Sequence, residues 1–187
     1  MGSAKKLCNY AEMFNIVGAI FFTAFLAISV YVHPGFNVFS PNQSVSDLGR
    51  IGDSKGYIFN AGVIISSIFF FIGFTGYFIH SAEDTFRRLS AAVFFVSLIM
   101  FLCIGVFPKG TQYHNFFAIS FFLISTIAMF LWCKSEIFHG NKILGILILS
   151  LTIASYGIYF NYHILGFAFA ELFGGYVIIL WMLLFKK

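Results

Sequence analysis

Six apolar stretches, each close to the ~20 residues that a helix needs to cross a bilayer, run through this chain with polar punctuation between them. They fall roughly at 11–33, 57–79, 88–107, 114–133, 142–160 and 164–185. Pro34-Gly35 stops the first, and Asp84 with Arg87-Arg88 separates the second from the third. Pro108-Lys109-Gly110 ends the third, and His139-Gly140-Asn141 opens the fifth. Asn161-Tyr162-His163 is the faintest of the breaks. The expected fold is all-α: a polytopic bundle of six transmembrane helices, forming one membrane domain over residues 1–187.

Composition points the same way. Hydrophobic residues make up 60% of the chain and charged ones 10%, against about 25% charged in an average soluble domain. With 28 Phe and nine Tyr besides, a water-soluble fold of this length could not hide the apolar surface, so lipid must be the solvent. Lys5 and Lys6 ahead of the first stretch, and Ala27-Ile28-Ser29 within it, resemble a signal peptide. The apolar run is longer than the usual h-region of about 7–15 residues, which makes it a retained anchor.

The formal charge of +4 does not describe a nucleic-acid surface, because Lys and Arg sit at the ends of the apolar stretches instead of in one patch. One side of the membrane receives Lys5, Lys6, Arg87, Arg88, Lys134, Lys142, Lys186 and Lys187, and the other receives Arg50, Lys55 and Lys109. The positive-inside rule then puts both termini in the cytoplasm. The three cysteines, Cys8, Cys103 and Cys133, form no CxxC and read as small buried hydrophobes.

This topology gathers His33, Ser46, Asp47, Asp53, Asn60, Lys109, His114, His163 and Glu171 at the outer ends of the helices. Glu171 stands out. With a sixth helix starting near Ile164 it lies two turns down, roughly 10 Å at 1.5 Å per residue. A charge at mid-membrane costs about 2.5–3.5 kcal/mol on insertion scales and less toward the interface. Glu171 must therefore face the bundle interior, be paired or be protonated, unless the helix starts a turn later and leaves it at headgroup level. Asn60 sits one turn into the second helix. The polar run "NVFSPNQSVSDLGRIGDSKG" before that helix has a plain reading as caps. Ser44 and Asp47 fit a capping box, and Asp53 or Ser54 fits an N-cap of the second helix. About twenty residues is nonetheless long for a simple connection.

The favoured working surface is an outward-facing polar vestibule that binds a membrane lipid or small amphiphile and is open to hydrolysing it. Asp47 and His114 are the acid/base candidates, and Ser46, Asn60, Glu171 and His33 the ligand-binding ones. The cofactor expectation is none, with zinc held by His33, His114 and Asp47 as the alternative; no HxxxH, HExxH or CxxC sets that geometry locally. A serine hydrolase lacks its GxSxG, and no chain of ionisable groups crosses the membrane to carry ions. The rival reading is a non-catalytic accessory or assembly subunit with a partner in a larger membrane complex.

Four segments carry a family resemblance: "HPGFNVFSPNQSVSDLG", "YIFNAGVI", "IGVFPKGTQYHNFFA" and "GFAFAELFGGYVIILW". They resemble an uncharacterised six-helix membrane family, DUF998, common in archaea and bacteria and similar at long range to the DRAM/Sfk group. The resemblance spans nearly the whole chain and implies the plasma membrane of a prokaryote. Its recurrent positions fall on Ser46, Asp47, Leu48, Gly49, Asn60, Gly105, Phe107, Pro108, His114 and Glu171. This chain departs from the family in having Lys109-Gly110 where an acid usually follows the proline, and Leu172 where many members have a basic residue. The resemblance implies a shared polar cluster on the outer face and no particular reaction. Zinc-dependent lipid amidases also combine Ser, Asp and His near one membrane face, but their paired histidines on one helix are missing here.

Overall fold

The computed structural model describes residues 2–80 and 84–185; Glu83, Lys186 and Lys187 lie outside it, as do the side chains of residues 2–9 and 80, Lys5, Lys6 and Cys8 among them. The described residues form seven α-helices: α1 Gly2–Val32, α2 Gly56–His80, α3 Thr85–Val106, α4 His114–His139, α5 Lys142–Phe160, α6 Tyr162–Leu165 and α7 Phe167–Leu184. All but α6 are long and apolar enough to span a membrane. Helices are the element that satisfies every backbone polar group without water. The chain is an integral membrane protein built as an all-α bundle.

The expected punctuation works through identifiable chemistry. α1 ends at the residue before His33-Pro34, since proline disfavours helical geometry in its predecessor. Asp84 caps α3 by accepting the N–H groups of Phe86 at 2.8 Å and Arg87 at 3.2 Å. Asn141 caps α5 through the Leu144 N–H at 3.2 Å. Four boundaries differ from expectation by three residues or more, the first being α3, which starts at Thr85 and not at 88. α1 starts at Gly2 and α4 runs on to His139, because Lys134, Glu136 and His139 continue the helix beyond the apolar stretch. The last span starts at Phe167, after the short α6 and a left-handed Gly166 (φ +96°), and not near 164. Glu171 is therefore one turn into its helix, about 6 Å from its start.

Consecutive helices pack pairwise, and α7 closes the bundle against α5 while touching α1 and α4. Glycines set the closest approaches. A Cβ on Gly62 or Gly73 of α2 would collide with Phe25 or Asn15 of α1. The end of the bundle where α4 turns into α5 is filled with rings. Trp181 lies 4.8 Å edge-on from Phe94, with Phe74, Trp132 and Phe185 around it. Buried hydroxyls stitch α3 to α4. Ser90 donates to the Ala128 carbonyl at 2.7 Å, and Ser97 reaches the Phe121 carbonyl at 3.2 Å. Outward-facing Ile20, Leu123 and Ile143 remain exposed, as helices solvated by lipid require.

At this α4–α5 end Glu136 holds three elements together. It is buried, pairs with Arg87 of α3 and accepts the Asn141 N–H at 2.9 Å, while Ser135 beside it donates to Asp84. Removing one partner of a buried pair strands the other's charge. Glu136→Ala is expected to destabilise the protein by about 3 kcal/mol, and Glu136→Gln by less, as its oxygen can still accept from Asn141. Thermal unfolding in mild detergent checks this; an unshifted midpoint for Glu136→Ala would show that the pair carries no weight.

Candidate functional site

The long polar run of the first loop folds around one 3-10 turn, Val45–Gly49, which is buried apart from Asp47. Asp47 reaches back as its capping chemistry predicts. Its Oδ2 accepts the Ser44 N–H at 2.7 Å and the Ser44 hydroxyl at 2.9 Å, and Oδ1 accepts from Arg50 at 2.5 Å. Burial alone would raise its pKa, but the Ser44 N–H, the Ser44 hydroxyl and the Arg50 guanidinium together hold it below the ordinary 3.8.

The helices receive this turn at three points. Asn60, one turn into α2, donates from Nδ2 to the Gly49 carbonyl at 3.0 Å. Gly49 itself has no room for a side chain against Asn60 and Phe59. Glu171 of α7 accepts the Val45 N–H through Oε2 at 2.6 Å, across 126 positions of sequence. From the α3–α4 connection, the Lys109 carbonyl accepts the Ile51 N–H at 2.8 Å. The loop also completes α7. The Ser40 and Val38 carbonyls accept the N–H groups of Phe167 (3.1 Å) and Phe169 (3.0 Å), donors left open at a helix start with no side-chain cap.

His114 opens α4 and is buried. Its Nδ1 lies 2.8 Å from the Phe107 carbonyl. A carbonyl can only accept, so Nδ1 carries the proton there. Nε2 is buried with no partner among the described residues. Asp47 and Lys109 are close enough to act electrostatically on both His114 and Glu171.

Two cavities meet at Glu171. The smaller, about 80 Å³, lies in the middle of the bundle beneath Val45 and Ser46 and is walled mainly by Phe and Ile side chains. The larger, about 180 Å³, lies between α4, α5 and α7. Glu171 is half-buried and lines both.

Asp47, Asn60 and Glu171 thus converge on one turn together with Ser46, and His114 lies within the field of Asp47. His33 does not join them. Its Nδ1 faces the Ser29 carbonyl at 2.6 Å and its Nε2 faces Asp53 at 3.0 Å. Among the described residues no three His, Cys, Asp or Glu side chains form a group able to hold a metal ion, and His33 bonds to Ser29 and Asp53 and to neither His114 nor Asp47. Asp53 is not itself the residue before α2; its Oδ1 accepts the Lys55 N–H at 2.8 Å in the turn leading in. His163 is exposed on α6 against Tyr162.

A family profile matches residues 16–186, nearly the whole chain, the recurrent turn, Asn60, His114 and Glu171 included. The chain belongs to the DUF998 family. That family is described as proteins of unknown function, so membership fixes kinship and leaves the chemistry to the DUF998 site itself. No curated protein and no solved structure matches the chain.

Sequence reasoning did not pick out Thr126, Thr152, Ser155 and Tyr156, which line the larger cavity. The last three share one helix face by their i, i+3, i+4 spacing, a polar signal visible within an apolar stretch. The pairing of Tyr156 with Thr126 has no local signature.

Because the folded pKa of Asp47 is depressed, its contribution to stability is complete above 3.8 and is lost as the pH falls through the lowered folded value. Amide hydrogen exchange over residues 44–50 is expected to accelerate in that acid range. Asp47→Asn should flatten much of the dependence, leaving the part due to Asp53, whose carboxylate is also held low, by the Lys55 N–H and by His33. An unchanged acid profile in Asp47→Asn would contradict this.

Proposed function

We propose that this DUF998 protein binds a membrane lipid or small amphiphile at the end of the bundle closed by the first loop. The polar head sits at Ser46 and Glu171, and apolar chain enters the central cavity. The observation that carries this reading is the position of Glu171: a carboxyl one turn inside a membrane helix, at the junction of two apolar cavities, beneath a turn that takes only one of its oxygens. A site of apolar walls with few convergent polar groups is the usual form of a small-molecule pocket. Burying such a carboxyl without a ligand to meet is costly in a membrane segment.

Binding is better supported than hydrolysis. Both oxygens of Asp47 are engaged by Ser44 and Arg50, which makes it a positioning residue for the turn and a poor base. His114 Nε2 keeps acid–base capacity, but no nucleophile is bonded to it among the described residues.

The loop end carries Arg50, Lys55 and Lys109, and the opposite end carries Arg87, Arg88, Lys134 and Lys142. By the positive-inside rule the loop end faces outward and both termini are cytoplasmic; the plasma membrane of a prokaryote is the setting that the family resemblance implies. A membrane-impermeant maleimide should label Ser54→Cys in intact cells; labelling only after permeabilisation would reverse the orientation.

Protein purified in mild detergent is expected to carry bound lipid detectable by mass spectrometry. Ser46→Ala and Glu171→Gln should each weaken retention by about fivefold, the loss of one hydrogen bond. Lipid-free protein, or variants that retain lipid as well as the parent, would count against the reading. A stoichiometric protein partner recovered in place of lipid would favour the accessory-subunit role.

A further inference from the structure

The larger cavity is a crevice between the outer halves of α4 and α5, with α7 as its floor. α4 and α5 meet tightly at the inner end, where Gly145 leaves no room for a Cβ beside Glu136. Toward the outer end the crevice intervenes, and its rim residues Ile119, Leu123 and Tyr159 are exposed on the surface that faces lipid. A ligand can therefore enter sideways from the bilayer.

Its polar lining is one-sided. Thr126 donates its hydroxyl proton to the Phe122 carbonyl at 2.8 Å. A hydroxyl has one proton, so the 2.8 Å contact between Thr126 Oγ1 and the Tyr156 hydroxyl must use the proton of Tyr156. Thr152 donates to Ile148 at 2.8 Å, and Ser155 to Leu151 at 2.9 Å. Every one of these protons is committed to a helix carbonyl or a neighbouring hydroxyl, which leaves lone pairs facing the crevice. Glu171 adds a carboxyl whose Oε1 takes no hydrogen bond among the described residues. The remaining lining hydroxyl, that of Tyr159, stands at the rim.

We propose that this crevice is a lateral binding site for a single-chain amphiphile whose head donates hydrogen bonds, an alcohol or a primary amine, and that it rejects anionic phosphate heads. Donors meet the Glu171, Thr126 and Tyr156 oxygens, whereas a phosphate dianion, which is all acceptors, finds no free hydroxyl proton on Thr126, Thr152, Ser155 or Tyr156. This deepens the amphiphile-binding reading and rests on it for Glu171, while Thr126 and Tyr156 belong to the crevice alone.

The test uses the full chain in phosphatidylcholine vesicles with three hexadecyl probes that carry a diazirine in the chain and end in an alcohol, an amine or a phosphate. Cross-linked peptides are mapped by mass spectrometry. The alcohol and amine are expected to label residues 118–129 and 152–159 several-fold more than the phosphate does. Thr126→Val should cut alcohol and amine labelling by about fivefold. It also frees the Tyr156 proton, so phosphate labelling should rise; Thr126→Ser should behave as the parent. A merely structural role for Thr126 would lower all three probes together. Equal labelling by phosphate in the parent, or a common loss in Thr126→Val, overturns the proposal. Labelling at residues 98–104, around the central cavity, reports the vestibule separately. Its loss in Ser46→Ala with the crevice pattern intact confines the two readings to their own cavities. Absence of central labelling in the parent sinks the vestibule reading and leaves the crevice standing.

Discussion

The docking of the first loop onto the start of α7 holds the loop end of this protein in place. A helix start exposes N–H groups with no intrahelical partner, and α7 begins without a side-chain cap. The Val38 and Ser40 carbonyls fill that need, and Glu171, one turn further on, accepts from Val45 in return. The exchange is reciprocal: the loop completes the helix, and the helix fixes the loop. Gly166 makes it possible, since any Cβ there would run into the Phe39 backbone. Near a membrane, where unmet backbone groups are expensive, such a connection fixes the position of the Val45–Gly49 turn over the bundle.

From that one connection the division of labour between the two ends follows. The α4–α5 end is packed with rings and locked by Arg87, Glu136 and Asp84, with little space left. The loop end keeps cavities, because the turn roofs the bundle without filling it. Glu171 is drawn to the junction of both cavities by the same bond that anchors the loop. One oxygen of that carboxyl carries the structural bond, and the proposed ligand would meet the other.

Much of this was legible from residue patterns. Asp47 reaching back to Ser44 is a local event three residues wide, and capping chemistry anticipates it. Pro34, Asp84 and Asn141 mark helix ends for equally local reasons. Glu171 was singled out as an interior carboxyl, although its depth was misplaced by about a turn because α6 and Gly166 look like helix continuation in a purely apolar reading. His33 was expected in the vestibule and lies instead with Asp53, a choice made by the direction in which α1 ends. The Thr126–Tyr156 pair spans two helices, and nothing in either segment announces the other.

What the sequence by itself determined is the solvent and the architecture: six apolar spans long enough to cross a bilayer, most of their ends, and the set of polar residues that fall at one end of the bundle. Those follow from period, length and charge, which act within a turn or two of chain. Only the tertiary structure decided which of those residues meet, that one carboxyl serves two cavities, and which hydroxyl protons are already committed. Those depend on contacts between segments far apart in the chain, where hydrogen-bond partners are chosen by helix packing and not by neighbours in sequence.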